Sequence, residues 1–289
     1  MTVSADKKTV TPQGDVCLAT LRETDRDRYL ACLLSPQEKQ PALAALYAFS
    51  AELARVREMV REPLPGEIRL QYWRDLLSGE TRGDTKANPL ALGLIKAVAD
   101  YHLPLKPLLD MIDARVGDLY DDPIGPRRAL EGYAGETASA LIQLASLVLD
   151  GKVAGSCADM AGHAGVAQAI AGMLMLMPQH RLRGQLYIPD EILAATGLDR
   201  QSFLEGKDKA RIHAAIEAFA GLGMDHLTSA KALGPVPAGL LSAYLPVALV
   251  RPVLVAAQRN AARVLDNRLR PPQWRRQLTM LKANFLRQF

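Results

Sequence analysis

Cysteine is scarce in this sequence, and Cys17, Cys32 and Cys157 are too scattered, and odd in number, for a disulfide framework. A reducing compartment is the expected home. An excess of charge of one sign is also missing: 35 Lys and Arg against 31 Asp and Glu leave +4. That net charge lacks the positive field that nonspecific nucleic-acid binding requires, so no nucleic-acid partner is expected. No long apolar run is unbroken. The greasiest stretch, Val236 to Ala257, is interrupted by Pro237, Pro246 and Pro252 and carries Arg251, so no transmembrane span is expected. The first residues, MTVSADKKTVTPQGD, hold two lysines with no apolar region behind them, which argues against export.

Strand signals are missing as well, since no run alternates apolar and polar residues between hairpin turns. The sequence has no Walker loop, no glycine-rich dinucleotide turn, no C-x-x-C, no H-E-x-x-H and no nucleophile elbow. His102, His163, His180, His213 and His226 show no ligand spacing with cysteine, so a structural zinc site is not expected.

What is present is helical periodicity, in a chain of 289 residues that is 49% hydrophobic. Leu46, Phe49, Leu53, Val56 and Val60 recur every three or four residues, which predicts a helix over Gln37 to Glu62 ended by Pro63 and Pro65. Further helices are expected near 66–77, 89–99, 104–119, 125–149, 157–177, 209–232, 238–265 and 271–287. The class is all-α. Pro or Gly punctuates most junctions and no linker divides the chain, so a loose tail over 1–15 and one domain over 16–289 are expected.

Charge concentrates at one end. Residues 251–289 hold nine basic side chains against one acid, Asp266. In the last helix Trp274, Leu278, Leu281 and Phe285 form a stripe beside this basic face. Such a helix either packs its stripe into the bundle, the commoner fate, or lies on an anionic membrane surface through residues 271–289.

Three segments carry more local character than a generic bundle: ALYAFSAELARVREMVREPLPGEIRLQYWRDLLSG from Ala45, MIDARVGDLYDDP from Met111, and AGHAGVAQAIAGMLMLMPQHRLRGQLYIPDEIL from Ala161. With Tyr47, Ala48 and Phe49, and with the ending Arg183, Gly184, Tyr187, Ile188, Pro189, the chain resembles the squalene/phytoene synthase family from about Asp27 onward. The resemblance implies a single-domain, isoprenoid-synthase-like helical bundle with a central apolar cavity. It also implies head-to-head prenyl transfer, in which Mg²⁺ held by aspartates four apart on a helix face grips diphosphate.

Here those aspartate positions fall on Ala54 and Glu58 and on Leu176 and His180, with Arg55 beside the first pair. The resemblance is closer to a divergent branch of the family that includes complex I assembly factor 6. Its pattern is matched by A-F-x-x-E-L-A-x-V-R-E at Ala48–Glu58, G-x-x-R-x-Q-Y-W at Gly66–Trp73 and P-x-H at Pro178–His180. That branch implies a non-catalytic protein, so no cofactor is expected, with respiratory NADH dehydrogenase subunits as partners; the apolar cavity of the prenyl-synthase fold, kept without its metal chemistry, is expected to hold an isoprenoid or lipid. The protein would be cytoplasmic and peripheral to the inner face of a membrane.

The candidate pocket or anion-binding residues are Tyr47, Arg55, Glu58, His180, Arg183 and Tyr187. Asp118 and Asp122, four apart with Asp113 and Asp121 nearby, are weaker candidates for a displaced metal site. The alternative is an active Mg²⁺-dependent prenyltransferase of the phytoene or squalene synthase type using Glu58, Asp118 and Asp122.

Overall fold

In a computed structural model that describes residues 12–80, 88–120 and 122–289, the chain is a bundle of helices with no strand among the described residues. Part of the expected tail, residues 1–11, lies outside the described residues, and the first helix begins at Pro12. In chain order the helices are α1 (Pro12–Thr24), α2 (Arg26–Leu33), α3 (Gln40–Met59), α4 (Pro63–Ser78), α5 (Pro89–Tyr101), α6 (Leu105–Val116), α7 (Arg127–Ala134) and α8 (Ala140–Ala154). They continue as α9 (Ala158–Leu182), α10 (Asp190–Ala195), α11 (Arg200–Glu205), α12 (Lys209–Ala232), α13 (Leu241–Tyr244), α14 (Val250–Arg259), α15 (Ala262–Leu265) and α16 (Gln273–Leu286).

Helix α3 shows how the sequence sets these elements. Leu46, Phe49, Leu53 and Val56 are buried on its inner face, each contributing about 1.5–3 kcal/mol. Phe49 meets Trp73 of α4 edge-on, with ring centroids 5.1 Å apart. The helix stops at Val60, which turns extended (φ −123°, ψ 151°). Pro63 does not terminate α3 directly. It opens α4, where a missing N–H costs nothing.

The long helix α9 packs against α12 and α8, and α12 in turn packs against α14. Close approach requires small residues. A Cβ on Gly165 would lie 2.4 Å from the Ser139 backbone, so glycine there lets α9 press against the turn between α7 and α8. That turn, Gly135–Ser139, is a π-helical insertion, and Ser139 donates from Oγ to the Gly162 carbonyl at 2.8 Å.

The stretches 127–182 and 238–259 pass by length and composition as membrane-crossing helices, yet 61% and 72% of their most apolar windows are buried within the bundle. The second is broken into α13, α14 and short 3₁₀ turns, with Pro246 and Pro252 among them.

Helix α16 does not pack its apolar stripe inward, contrary to the commoner fate of such helices. Its buried side is Arg276, Met280 and Ala283, seated against Ala31, Leu241 and Leu245, and Arg276 pairs with Asp27 of α2. This ion pair and the small inner residues fix the helix rotation, leaving Trp274, Leu278, Leu281 and Phe285 exposed.

Candidate functional site

A cavity of about 660 Å³ opens between α2, α3, α9, α14 and the N-terminal end of α16. Its walls are mixed rather than wholly apolar. Met173, Leu176, Leu249, Val250 and Val253 supply the greasy part, while Arg28, Arg57, Arg115, Arg183, Arg270 and Arg276 supply cationic groups.

The positions that face one another here were separated in the sequence. Ala54 and Glu58 lie one turn apart on α3, Leu176 and His180 one turn apart on α9, and all four line the cavity. Arg183 and Tyr187 line it as well. Tyr47 does not: it is buried in the core beneath the Arg28 guanidinium, 5.9 Å from its ring centroid, and burial pushes its hydroxyl pKa up. Arg55 is not part of the lining either, because it sits on the exposed side of α3.

The chain returns to the cavity after α9 through Gly184, whose φ of +77° is a left-handed conformation that glycine adopts without penalty. Arg183 and Gln185 both donate from backbone N–H to the His180 carbonyl, at 3.0 and 2.9 Å. The turn aims Tyr187 at Asp118, to which its hydroxyl donates at 2.7 Å, while Gln185 Nε2 donates to the same hydroxyl at 2.7 Å. The His180 ring meets Tyr187 edge-on at 4.9 Å between centroids.

Asp118 is the centre of this network. It is buried, and it accepts from Tyr187, from the Tyr133 hydroxyl at 2.9 Å and from Arg115 Nη1 at 3.0 Å. Arg115 also donates to the Tyr133 hydroxyl at 2.6 Å. Burial first, and then the Asp118 charge, push the Tyr187 hydroxyl well above its ordinary pKa, so it stays a donor at all physiological pH values. At Tyr133 burial again acts first and raises the pKa; Arg115 opposes it without cancelling it.

Asp118 is thus held by Arg115, Tyr133 and Tyr187, and Asp122 is exposed and outside the lining. Asp113 pairs with Arg74, and Asp121 lies outside the described residues. Among the described residues no group of three or more His, Cys, Asp or Glu is placed to hold a metal ion.

Sequence reading did not single out Arg28, Arg115, Tyr133, Gln179 or Arg270, all of which line the cavity. Arg115 had a usable signal, three residues before Asp118 on one helical face. Arg28 and Arg270 had none, because their approach depends on how α2 and the segment before α16 fold over α9.

The squalene/phytoene synthase family model matches residues 21–277. The chain is 33% identical over 244 residues to NADH dehydrogenase (ubiquinone) complex I, assembly factor 6 of Rattus norvegicus, covering 84% of this chain and 73% of that protein. It is 25% identical over 289 residues to a 15-cis-phytoene synthase of Synechococcus elongatus, covering 89% of each. Among solved structures, a dehydrosqualene synthase in complex with ligand superposes with a TM-score of 0.76 at 16% identity, covering 95% of this chain and 96% of that one, a likeness of fold. The helical architecture, the matched model and the sequence relatives agree, and the chain belongs to the squalene/phytoene synthase family.

Proposed function

We propose that this protein is a non-catalytic member of its family that acts in the assembly of respiratory NADH dehydrogenase, at the inner face of a membrane, and that its cavity holds an isoprenoid or lipid. The observation that carries the reading is the set Ala54, Glu58, Leu176 and His180. These four line one cavity where the resemblance calls for metal-binding aspartates, and they offer a single carboxylate.

The surrounding donors do not suit Mg²⁺, which takes several hard oxygen ligands. Asp118 is engaged by Arg115, Tyr133 and Tyr187. Asp25 caps α2 and pairs with Arg28, and Asp27 pairs with Arg276. Glu58 shares the cavity with the Arg57 guanidinium, whose charge opposes a divalent cation.

The same walls favour an amphiphile. The apolar side accepts a chain, the six lining arginines outnumber the carboxylates of Asp25, Asp27, Glu58 and Asp118 and so favour an anionic head, and two buried polar atoms, Arg115 Nε and Gln179 Oε1, have no partner among the described residues. The partner comes from the names of the relatives, of which the rat protein is one.

Two measurements test the proposal. Deleting the gene should lower NADH:quinone oxidoreductase activity and leave isoprenoid content unchanged. Purified protein given Mg²⁺ or Mn²⁺ and labelled farnesyl or geranylgeranyl diphosphate should release no more product than its Glu58→Ala variant. Turnover above that control, with intact NADH dehydrogenase in the deletion strain, would establish the head-to-head prenyltransferase instead.

A further inference from the structure

Helix α16 has two opposite apolar faces, and only one is used by the fold. At 100° per residue, Arg276, Met280 and Ala283 share the side turned to the bundle, whereas Trp274, Leu278, Leu281 and Phe285 form a row on the far side. Trp274 is 57% exposed, Leu278 57% and Phe285 84%. A contiguous row of large side chains held in water is costly for a soluble surface and marks a face that meets something apolar.

The flanking charge identifies what that is. Arg275 and Lys282 are exposed along one edge of the row, Arg268 and Arg270 precede the helix and Arg287 follows it. From Asn267 to Phe289 the sequence contains no Asp or Glu. A second copy of the chain does not fit, since pairing two such ridges would bring Arg275 and Lys282 of both copies together. A ridge on a convex helix, with aromatics at both ends and cations alongside, suits a fluid surface of acyl chains and phosphates.

We infer that α16 is an interfacial helix: Trp274, Leu278, Leu281 and Phe285 enter the acyl region of an anionic lipid bilayer while Arg275 and Lys282 hold lipid phosphates. The inference rests on the membrane part of the function proposed above and assigns it to one face. Asn267, Arg270, Pro271 and Arg276, before and within the first turn of this helix, are cavity-lining residues, so the segment that seats α16 is also part of the cavity wall.

The test uses the full chain and vesicles of phosphatidylcholine with or without phosphatidylglycerol. Trp73 is already buried, so a blue shift of fluorescence on vesicle addition reports Trp274. The shift should need phosphatidylglycerol and fade with added salt. Leu278→Gln with Phe285→Gln should weaken binding by about tenfold or more, and Arg275→Gln with Lys282→Gln should weaken it by about tenfold at low salt. All four side chains are exposed, so unchanged circular dichroism and melting temperature confirm intact folding.

Equal binding by both double variants, or equal binding to vesicles without phosphatidylglycerol, would overturn the inference. So would lipid-independent, salt-resistant binding of this face to a purified NADH dehydrogenase subunit. Complementation of a deletion strain keeps the two proposals apart. If the natural chain restores NADH dehydrogenase activity yet binds no vesicles, the α16 inference falls and the assembly role stands, whereas vesicle binding through α16 without restoration does the opposite.

Discussion

The Tyr187 hydroxyl donates to Asp118 Oδ1 at 2.7 Å across 69 residues of sequence, tying the segment after α9 to the end of α6. Arg115 and Tyr133 complete the shell, so the carboxylate that sequence spacing offered as a metal ligand is instead the acceptor for three neighbours.

Removing the two ends of this bond should therefore cost different amounts. Tyr187→Phe loses the bond to the Asp118 carboxylate, about 1.5–3 kcal/mol, together with the weaker neutral bond from Gln185 Nε2, about 1 kcal/mol. Asp118→Ala strands the Arg115 guanidinium and should cost about 3–5 kcal/mol. Chemical denaturation of both variants checks the order, and a milder loss for Asp118→Ala would contradict the network as described.

Two glycines of α9 make a matched pair. Gly165→Ala forces a methyl against the Ser139 backbone and should destabilise by about 1–3 kcal/mol or more. Gly162→Ala meets nothing within 4 Å and should stabilise by about 0.5–1 kcal/mol through helix propensity. Melting temperatures of the two variants should move in opposite directions.

A pH dependence follows from the histidines of α9 and α12. His163 Nδ1 and His226 Nδ1 are 3.0 Å apart, and His226 Nε2 lies 3.1 Å from Glu131 Oε1, which also accepts from Arg127 at 2.7 Å. The geometry is satisfied when His226 is neutral, accepting from His163 and donating to Glu131. Burial lowers the His226 pKa below 6.5, with Glu131 opposing and His163 and Arg127 adding to the fall.

A native pKa below the unfolded one means that the unfolded chain binds the proton first. The contribution to stability is thus whole above pH 6.5 and declines as the pH drops from there toward the native pKa. At Glu131 burial works to raise the pKa, but hydrogen bonds from Arg127 and His226 outweigh it and leave it lowered, so a further decline begins below pH 4.5. Melting curves between pH 7.5 and 5.5 should show the first decline in the natural chain and a flatter profile in His226→Gln.

The cysteines should be inert. Cys17, Cys32 and Cys157 are all buried and free, and burial pushes the Cys17 thiol up to about 11 and Cys32 higher still. A disulfide reagent at pH 8 should find almost no thiol in the native protein and all three after denaturation.

Much of the fold was legible along the chain because helical period and punctuation are local. Helix α12 runs from Lys209 to Ala232 as its spacing predicts, and α3 differs only by a few residues at its ends. Helices α10 and α11 escaped notice, since six residues are too few to show a period. The site was half legible. Glu58, His180, Arg183 and Tyr187 do gather at one cavity, while Tyr47 and Arg55, on the same helix as Glu58, turn into the core and out to solvent.

By itself, then, the sequence settled the helical class, most helix positions and which residues stand one turn apart, because each depends on neighbours within a few positions. It also settled that α16 has an apolar row. Only the tertiary structure decided that the row looks outward, that Asp118 is claimed by Arg115, Tyr133 and Tyr187, and that Arg28 and Arg270 reach the cavity. These outcomes depend on how a helix is rotated about its axis, and that rotation is set by partners such as Asp27 for Arg276, remote in sequence and brought close only by packing.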